Sequence, residues 1–192
     1  MTARSIFEQT YPAVHKHLAQ WETGLRKRDD KGRFWWELRA CAYYESFLSN
    51  KIMYPDIAQH SKFLLDKSGS LSSNTTYFVP SSDYCLLGIL NSKLLWWFYG
   101  TITSSIQGGF VRYFSQYMEQ LPIPPATAAQ QAPIIERVQK ILAAQTHPHP
   151  NLPLEGEGTV VDIPQLEAEI DRLVYELYGL TAEEIAVVEG RS

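Results

Sequence analysis

Three prolines within four residues, in Leu121-Pro122-Ile123-Pro124-Pro125, stop regular structure part-way along the chain. Proline lacks the N–H that a helix or sheet bond needs and fixes φ, so neither element runs through such a segment. The chain is therefore expected to divide there, into a domain over residues 1–122 and a helical region over 123–192. Composition changes across the same point. Residues 1–122 carry 13 Lys/Arg against 10 Asp/Glu, a net of +3, whereas residues 123–192 carry 4 against 11, a net of −7. Every Trp and Phe, and every Tyr except Tyr175 and Tyr178, precedes the prolines. A basic, aromatic half suits a polyanion, and an acidic half repels one.

Several classes are excluded early. No apolar run approaches the roughly 20 residues of a membrane span; the nearest, Tyr84 to Tyr99, is too short and holds Asn91 and Lys93. The N-terminus lacks the charged-then-apolar pattern of an export signal. Cys41 and Cys85 are the only cysteines and form no disulfide framework. A reduced, cytoplasmic setting is expected.

Tyr11, Val14, Leu18, Trp21 and Leu25 recur at three and four residues and predict one amphipathic helix, weakened near its end by Gly24. Arg26 to Gly32 reads as a charged loop, and Phe34 to Phe47 is aromatic without a period that separates strand from helix. Lys51 to Tyr54, Phe63 to Asp66, Thr75 to Val79 and Phe110 to Phe114 read as short strands. A helix is predicted from Tyr84 to about Tyr99, capped by Ser82 or Asp83. Beyond the prolines, Pro133–Ala144 and Ile163–Tyr178 are amphipathic helices, the second opened by Pro164 and stopped by Gly179. Thr181 and Glu184 form a capping box for a last short helix. Residues 146–160, including the Pro/Gly-rich His147–Gly158, are expected to be a flexible insertion. The fold class is thus α+β: a mixed β-sheet with flanking helices, followed by a C-terminal helical region.

Catalytic patterns are missing. Neither GxGxxG nor GxxxxGK[ST] is present, and the lone Gly108-Gly109 reads as a turn. The pairs His15/His17 and His147/His149 lack Cys or acidic partners at metal-site spacing, so no metal is expected. Asp29-Asp30-Lys31 has the acidic-x-Lys spacing of metal-dependent nucleases, but the only Pro-Asp dipeptide, Pro55-Asp56, follows it. The Asn/Asp-Pro-Pro-Tyr/Phe motif that holds a target amine in amino-methyltransferases is absent. No catalytic residue is expected in this chain.

Segments spread along nearly the whole chain resemble, in order, the TaqI-like C-terminal specificity domain of type II and type IIG adenine-N6 DNA methyltransferases. They are Tyr11-Pro12, Trp36-x-Leu38-Arg39, Lys51-Ile52-x-Tyr54-Pro55-Asp56-Ile57, Asn74 to Val79, Leu86 to Leu94, Gln107-Gly108-Gly109, Gln120 to Pro124 and Ile170 to Thr181. The resemblance implies a domain that reads duplex DNA beside a methyltransferase core, in a site-specific adenine-N6 methyltransferase or a fused restriction-modification enzyme. That core would bind S-adenosylmethionine and flip out the adenine. It is not in this sequence, so the chain is expected to be a C-terminal piece, with no cofactor of its own. The His147–Gly158 insertion departs from the family pattern.

The expected DNA contacts follow from side-chain chemistry. Arg33, Arg39, Lys51, Lys62 and Arg112 suit phosphate, and the arginines also suit guanine, because a guanidinium bonds both bidentately. Trp36 suits stacking on a base or packing on a sugar, with core packing as the competing role. Asn74, Thr75 and Gln107 offer donors and acceptors for base edges, and the loop Thr103–Arg112 is the expected groove reader. Asn91 is expected to be structural. Two other functions remain open: an interaction subunit docking on a methyltransferase core through its C-terminal helices, and a small enzyme with an unrecognised site.

Overall fold

The computed structural model describes residues 2–145 and 161–190. The expected insertion and the pair His147/His149 lie outside the described residues. The chain forms two compact units, residues 1–44 and 45–192.

In the first unit the helix predicted from Tyr11 to Leu25 is two, α2 (Pro12–Ala19) and α3 (Glu22–Lys27), preceded by α1 (Ala3–Thr10). Thr2 and Ser5 cap α1 reciprocally. Tyr11 breaks it, with φ −131° and ψ 60°, and Pro12 opens α2. The apolar stripe read from the sequence is not buried; Tyr11, Val14 and Trp21 are all exposed. The unit is held by rings instead. Phe7 and Phe34 stack on Trp36 at centroid distances of 5.0 and 4.8 Å, and Trp35 meets it edge-on at 5.4 Å. The aromatic stretch whose type was undecided is mostly turn and loop, ending in α4 (Tyr44–Leu48).

In the second unit, β1 (Lys51–Pro55) pairs with β3 (Leu64–Asp66) on one side and β4 (Thr76–Val79) on the other. A second sheet has the order β2 (Ile57–Ala58), β6 (Phe110–Arg112), β5 (Ser105–Ile106). The α+β class is as expected, but every pairing is antiparallel, where a mixed sheet was expected. Only β5 and β6 are successive strands joined by a tight turn; β1 with β4 and β2 with β6 pair strands distant in sequence.

The helix predicted over 84–99 is broken at Ser92 into α5 (Tyr84–Asn91) and α6 (Lys93–Ile102). Ser92 has extended backbone, donates to Ile89 O at 2.7 Å and accepts from Leu95 N at 3.3 Å, so it caps α6. Asp83 caps α5, accepting from Cys85 N and Leu86 N. Asn91 is structural, though not buried: its amide exchanges two hydrogen bonds with the backbone of Phe63, at 3.0 and 2.9 Å. After the one-turn α7 (Ser115–Met118), residues 121–127 have no regular structure, as the prolines require.

Helices α8 (Ala128–Gln145) and α9 (Ile163–Tyr178) then pack on α5, and α10 (Ala182–Val188) on α6. Ile134, Val138, Ile170 and Val174 join Leu87, Leu90 and Tyr99 in one core. The packing therefore runs across the boundary expected at 122, with α8 and α9 covering apolar residues of α5 and α6. A side chain on Gly88 would lie 2.7 Å from Ile134 Cγ2, so glycine permits the close crossing of α5 and α8. Asp171 of α9 accepts from the Lys93 N–H at 2.8 Å, adding a carboxylate to the start of α6. Burial raises its pKa, against the opposing pull of Lys93. Gly179 ends α9 in the left-handed region, φ 67°, and Thr181 and Glu184 form the predicted capping box.

Candidate nucleic-acid interface

The β5–β6 hairpin occupies the loop expected to read a groove. Ser105 pairs with Val111 and Ile106 with Phe110, leaving Gln107-Gly108-Gly109 as the connection. Both glycines have positive φ, 88° and 76°, which a side chain would resist. Gln107 is exposed at this tip, flanked by the half-exposed Ile106 and Phe110. Gln59 donates to Gly108 O at 3.0 Å and so braces the tip from β2.

The base of the hairpin is fixed by Asp56, which sits where β1 leaves one sheet and β2 enters the other. Its N–H donates to Thr75 O at 2.9 Å, and its carbonyl accepts from Tyr113 N at 2.8 Å. Its carboxylate accepts from Arg112 through Nη2 at 2.6 Å and Nε at 3.3 Å. This pairing raises the pKa of Arg112. The guanidinium also lies 4.9 Å over the Phe114 ring. Tyr99 donates to Arg112 O at 2.6 Å, and burial raises the pKa of Tyr99 and of its stacking partner Tyr113. Tyr54, in the same ring cluster, is pushed up to about 12 by burial.

Of the residues expected to touch DNA, the structure brings four together. Gln107 and Arg112 lie on the hairpin, and Asn74 and Thr75 lead into β4, joined to Arg112 through Asp56. Arg112 is not a free cation, however: its Nε–Nη2 edge is engaged by Asp56. Lys51 is corrected outright. It is fully buried and donates to Asp66 Oδ2 at 2.5 Å and to Phe47 O at 2.6 Å, so no phosphate reaches it. Trp36 is half-buried, with Phe7, Phe34 and Trp35 packed against its ring. Lys62 is exposed on the loop between β2 and β3, where it borders a separate cavity of about 550 Å³ with Asn91 and Asp171. Arg33 and Arg39 belong to the other unit. Arg39 lies 3.5 Å from Asp30, both largely exposed, and Arg33 lies over the Phe34 ring.

Sequence reasoning missed Asp56, Gln59, Tyr99 and Tyr113. Pro55-Asp56 reads as a turn, but an acidic residue between Tyr54 and Ile57 in an otherwise apolar strand was the available signal for a paired carboxylate. Among the described residues no His/Cys/Asp/Glu cluster could hold a metal, and no helix is long and apolar enough to cross a membrane.

The second unit thus carries two small antiparallel sheets and a hairpin braced by Asp56 and Gln59. Residues 7–123 match the TaqI-like C-terminal specificity domain, and the chain belongs to that family. It is 23% identical over 149 residues to Type II methyltransferase M.BanIII of Aneurinibacillus aneurinilyticus, and 27% identical over 143 residues to Type II methyltransferase M.PaeR7I of Pseudomonas aeruginosa. Each match takes in 73% of this chain but only 25% and 21% of those proteins, so the chain spans about a quarter or less of their length.

Proposed function

We propose that the chain is the DNA-reading part of a site-specific adenine-N6 methyltransferase, with residues 1–122 as the recognition domain and 123–192 as its helical support. The observation that carries this reading is the hairpin: an exposed Gln107 on a glycine turn, with Arg112 held at its base by Asp56, in a chain of the specificity-domain family. Duplex DNA is the partner, Gln107 and the Nη1 side of Arg112 meet base edges, and Asn74 and Thr75 flank them. A methyltransferase core supplies S-adenosylmethionine and the chemistry. The apolar groove of about 280 Å³ between α6 and α10, lined by Leu94, Trp97 and Val187, favours a second role, docking on that core.

The test joins this chain to its methyltransferase core and compares methylation of the cognate site with single-base variants. Gln107→Ala and Arg112→Ala are expected to reduce discrimination at one position each by roughly 1–3 kcal/mol, about 5- to 150-fold. Full discrimination in both variants would show the hairpin to be structural.

A further inference from the structure

Only the first unit carries a net positive charge. Residues 1–44 hold 8 Lys/Arg and 5 Asp/Glu, a net of +3, while residues 45–192 hold 9 and 16, a net of −7. Within the first unit, a concavity of about 320 Å³ is lined by Thr2, Arg4, Arg26, Arg33 and Trp35 among others. Thr2 is the N-cap of the eight-residue α1, whose first turn contains no acidic residue. The capping box uses the N–H groups of Thr2 and Ser5, which leaves the Ala3 and Arg4 amides as donors at the positive end of the helix.

The floor of the concavity is aromatic. Arg26 lies 6.0 Å over the Trp35 ring and Arg33 5.6 Å over Phe34, a placement that orients the guanidinium groups while leaving N–H edges for a ligand. Trp35 itself is 5% exposed, and its indole Nε1 finds no hydrogen-bond partner among the described residues. A buried donor without an acceptor is unfavourable, and a ligand oxygen would satisfy it. Two acidic residues compete for the arginines: Glu8 lies 2.9 Å from Arg4, and Glu22 lies 2.6 Å from Arg26. Both are i,i+4 pairs in which the arginine is more than half exposed, the weakest kind of ion pair. Arg33 has no ion pair among the described residues.

We propose that this concavity is a phosphate site, in which Arg33, Arg4 and Arg26, the start of α1 and the Trp35 indole bind the oxyanion of a nucleic-acid backbone phosphate. Donors converging from a helix end, several guanidinium groups and an indole match a tetrahedral group with several acceptor oxygens better than a planar carboxylate. The site goes beyond the hairpin reading and rests on it only for the source of the phosphate. It would anchor the molecule without reading sequence.

The test follows the Trp35 indole N–H resonance of the chain, assigned with Trp35→Phe, during titration with a duplex oligonucleotide and, separately, with inorganic phosphate. Duplex is expected to shift this resonance. Arg33→Ala is expected to weaken duplex binding roughly tenfold at low salt and to reduce the slope of log affinity against log salt by about 0.9. Both effects should be the same on every sequence, and Arg33→Lys should recover part of each. A shift with inorganic phosphate but not with duplex upholds a phosphate site while assigning it to free phosphate. Silence in both titrations, or unchanged affinity and slope in Arg33→Ala and Arg4→Ala, overturns the proposal. If discrimination still depends on Gln107 in that event, the specificity reading stands without the pocket. If the pocket variants behave as expected while Gln107 and Arg112 prove dispensable, only the hairpin assignment falls.

Discussion

Lys51→Ala is expected to destabilise the chain by about 3–5 kcal/mol, as removal of one partner from a buried ion pair does. The ammonium is wholly enclosed, and its loss leaves the Asp66 carboxylate without its cation and Phe47 O without that donor. Asp66 keeps the Ser68 and Ser70 N–H groups, which cannot supply a charge. Urea denaturation at neutral pH measures the loss; a change under 1 kcal/mol would contradict it. Acid gives a second reading. Lys51 and the Ser68 hydroxyl hold the Asp66 carboxyl well below the usual carboxylate range. Its folded pKa is depressed, so its stabilisation is fully present above the unfolded value of about 4 and is lost as pH falls below that toward the folded value. Because Lys51 is the largest cause, the alanine variant should lose less additional stability on acidification than the parent. Duplex binding by folded Lys51→Ala should keep its salt slope, since this lysine reaches no phosphate.

Ile134→Ala is expected to cost about 2–5 kcal/mol, the range for deleting a buried isoleucine side chain to its Cβ. Ile134 is 0% exposed and lies directly over Gly88, where α8 crosses α5. The informative part is the shape of the unfolding curve. If α8 and α9 share a core with α5 and α6, urea should shift the transition containing Tyr99 and Tyr113 by the whole amount. An early, separate helical transition, with the tyrosine signal unmoved, would instead make residues 123–190 an appendage.

Local patterns with a local cause were legible in the sequence. Asp83, Thr181 and Gly179 act at helix ends through bonds to residues only a few positions away, and β4 follows from a β-branched and aromatic run. The double glycine of the hairpin was legible for the same reason, since only backbone with positive φ needs it. What escaped was set by distant partners. The break at Ser92 is fastened by Asp171, and nothing near Lys93 announces a carboxylate from α9. Lys51 looked like a surface cation because its partner is 15 residues away on a neighbouring strand. Trp36 and Arg112 were legible as chemistry but not as geometry, for rings and carboxylates from elsewhere in the chain had first claim on them. Tyr11, Val14 and Trp21 show the opposite error: a helical period existed, but the helix that would have used it is interrupted at Tyr11 and again at Trp21.

The carboxylate that Asp171 offers to the start of α6 also orders events during synthesis. It lies 78 residues beyond Lys93, so α5 and α6 leave the ribosome long before the groups that cover and cap them. Until α9 emerges, Gly88 can meet Ile134 and Val138 of α8 but not Ile170, and the core lacks Ile170 and Val174. A premature stop between the proline segment and α9 therefore removes more than a tail: it takes Ile170, Val174 and Tyr175 from the core and the Asp171 carboxylate from the start of α6.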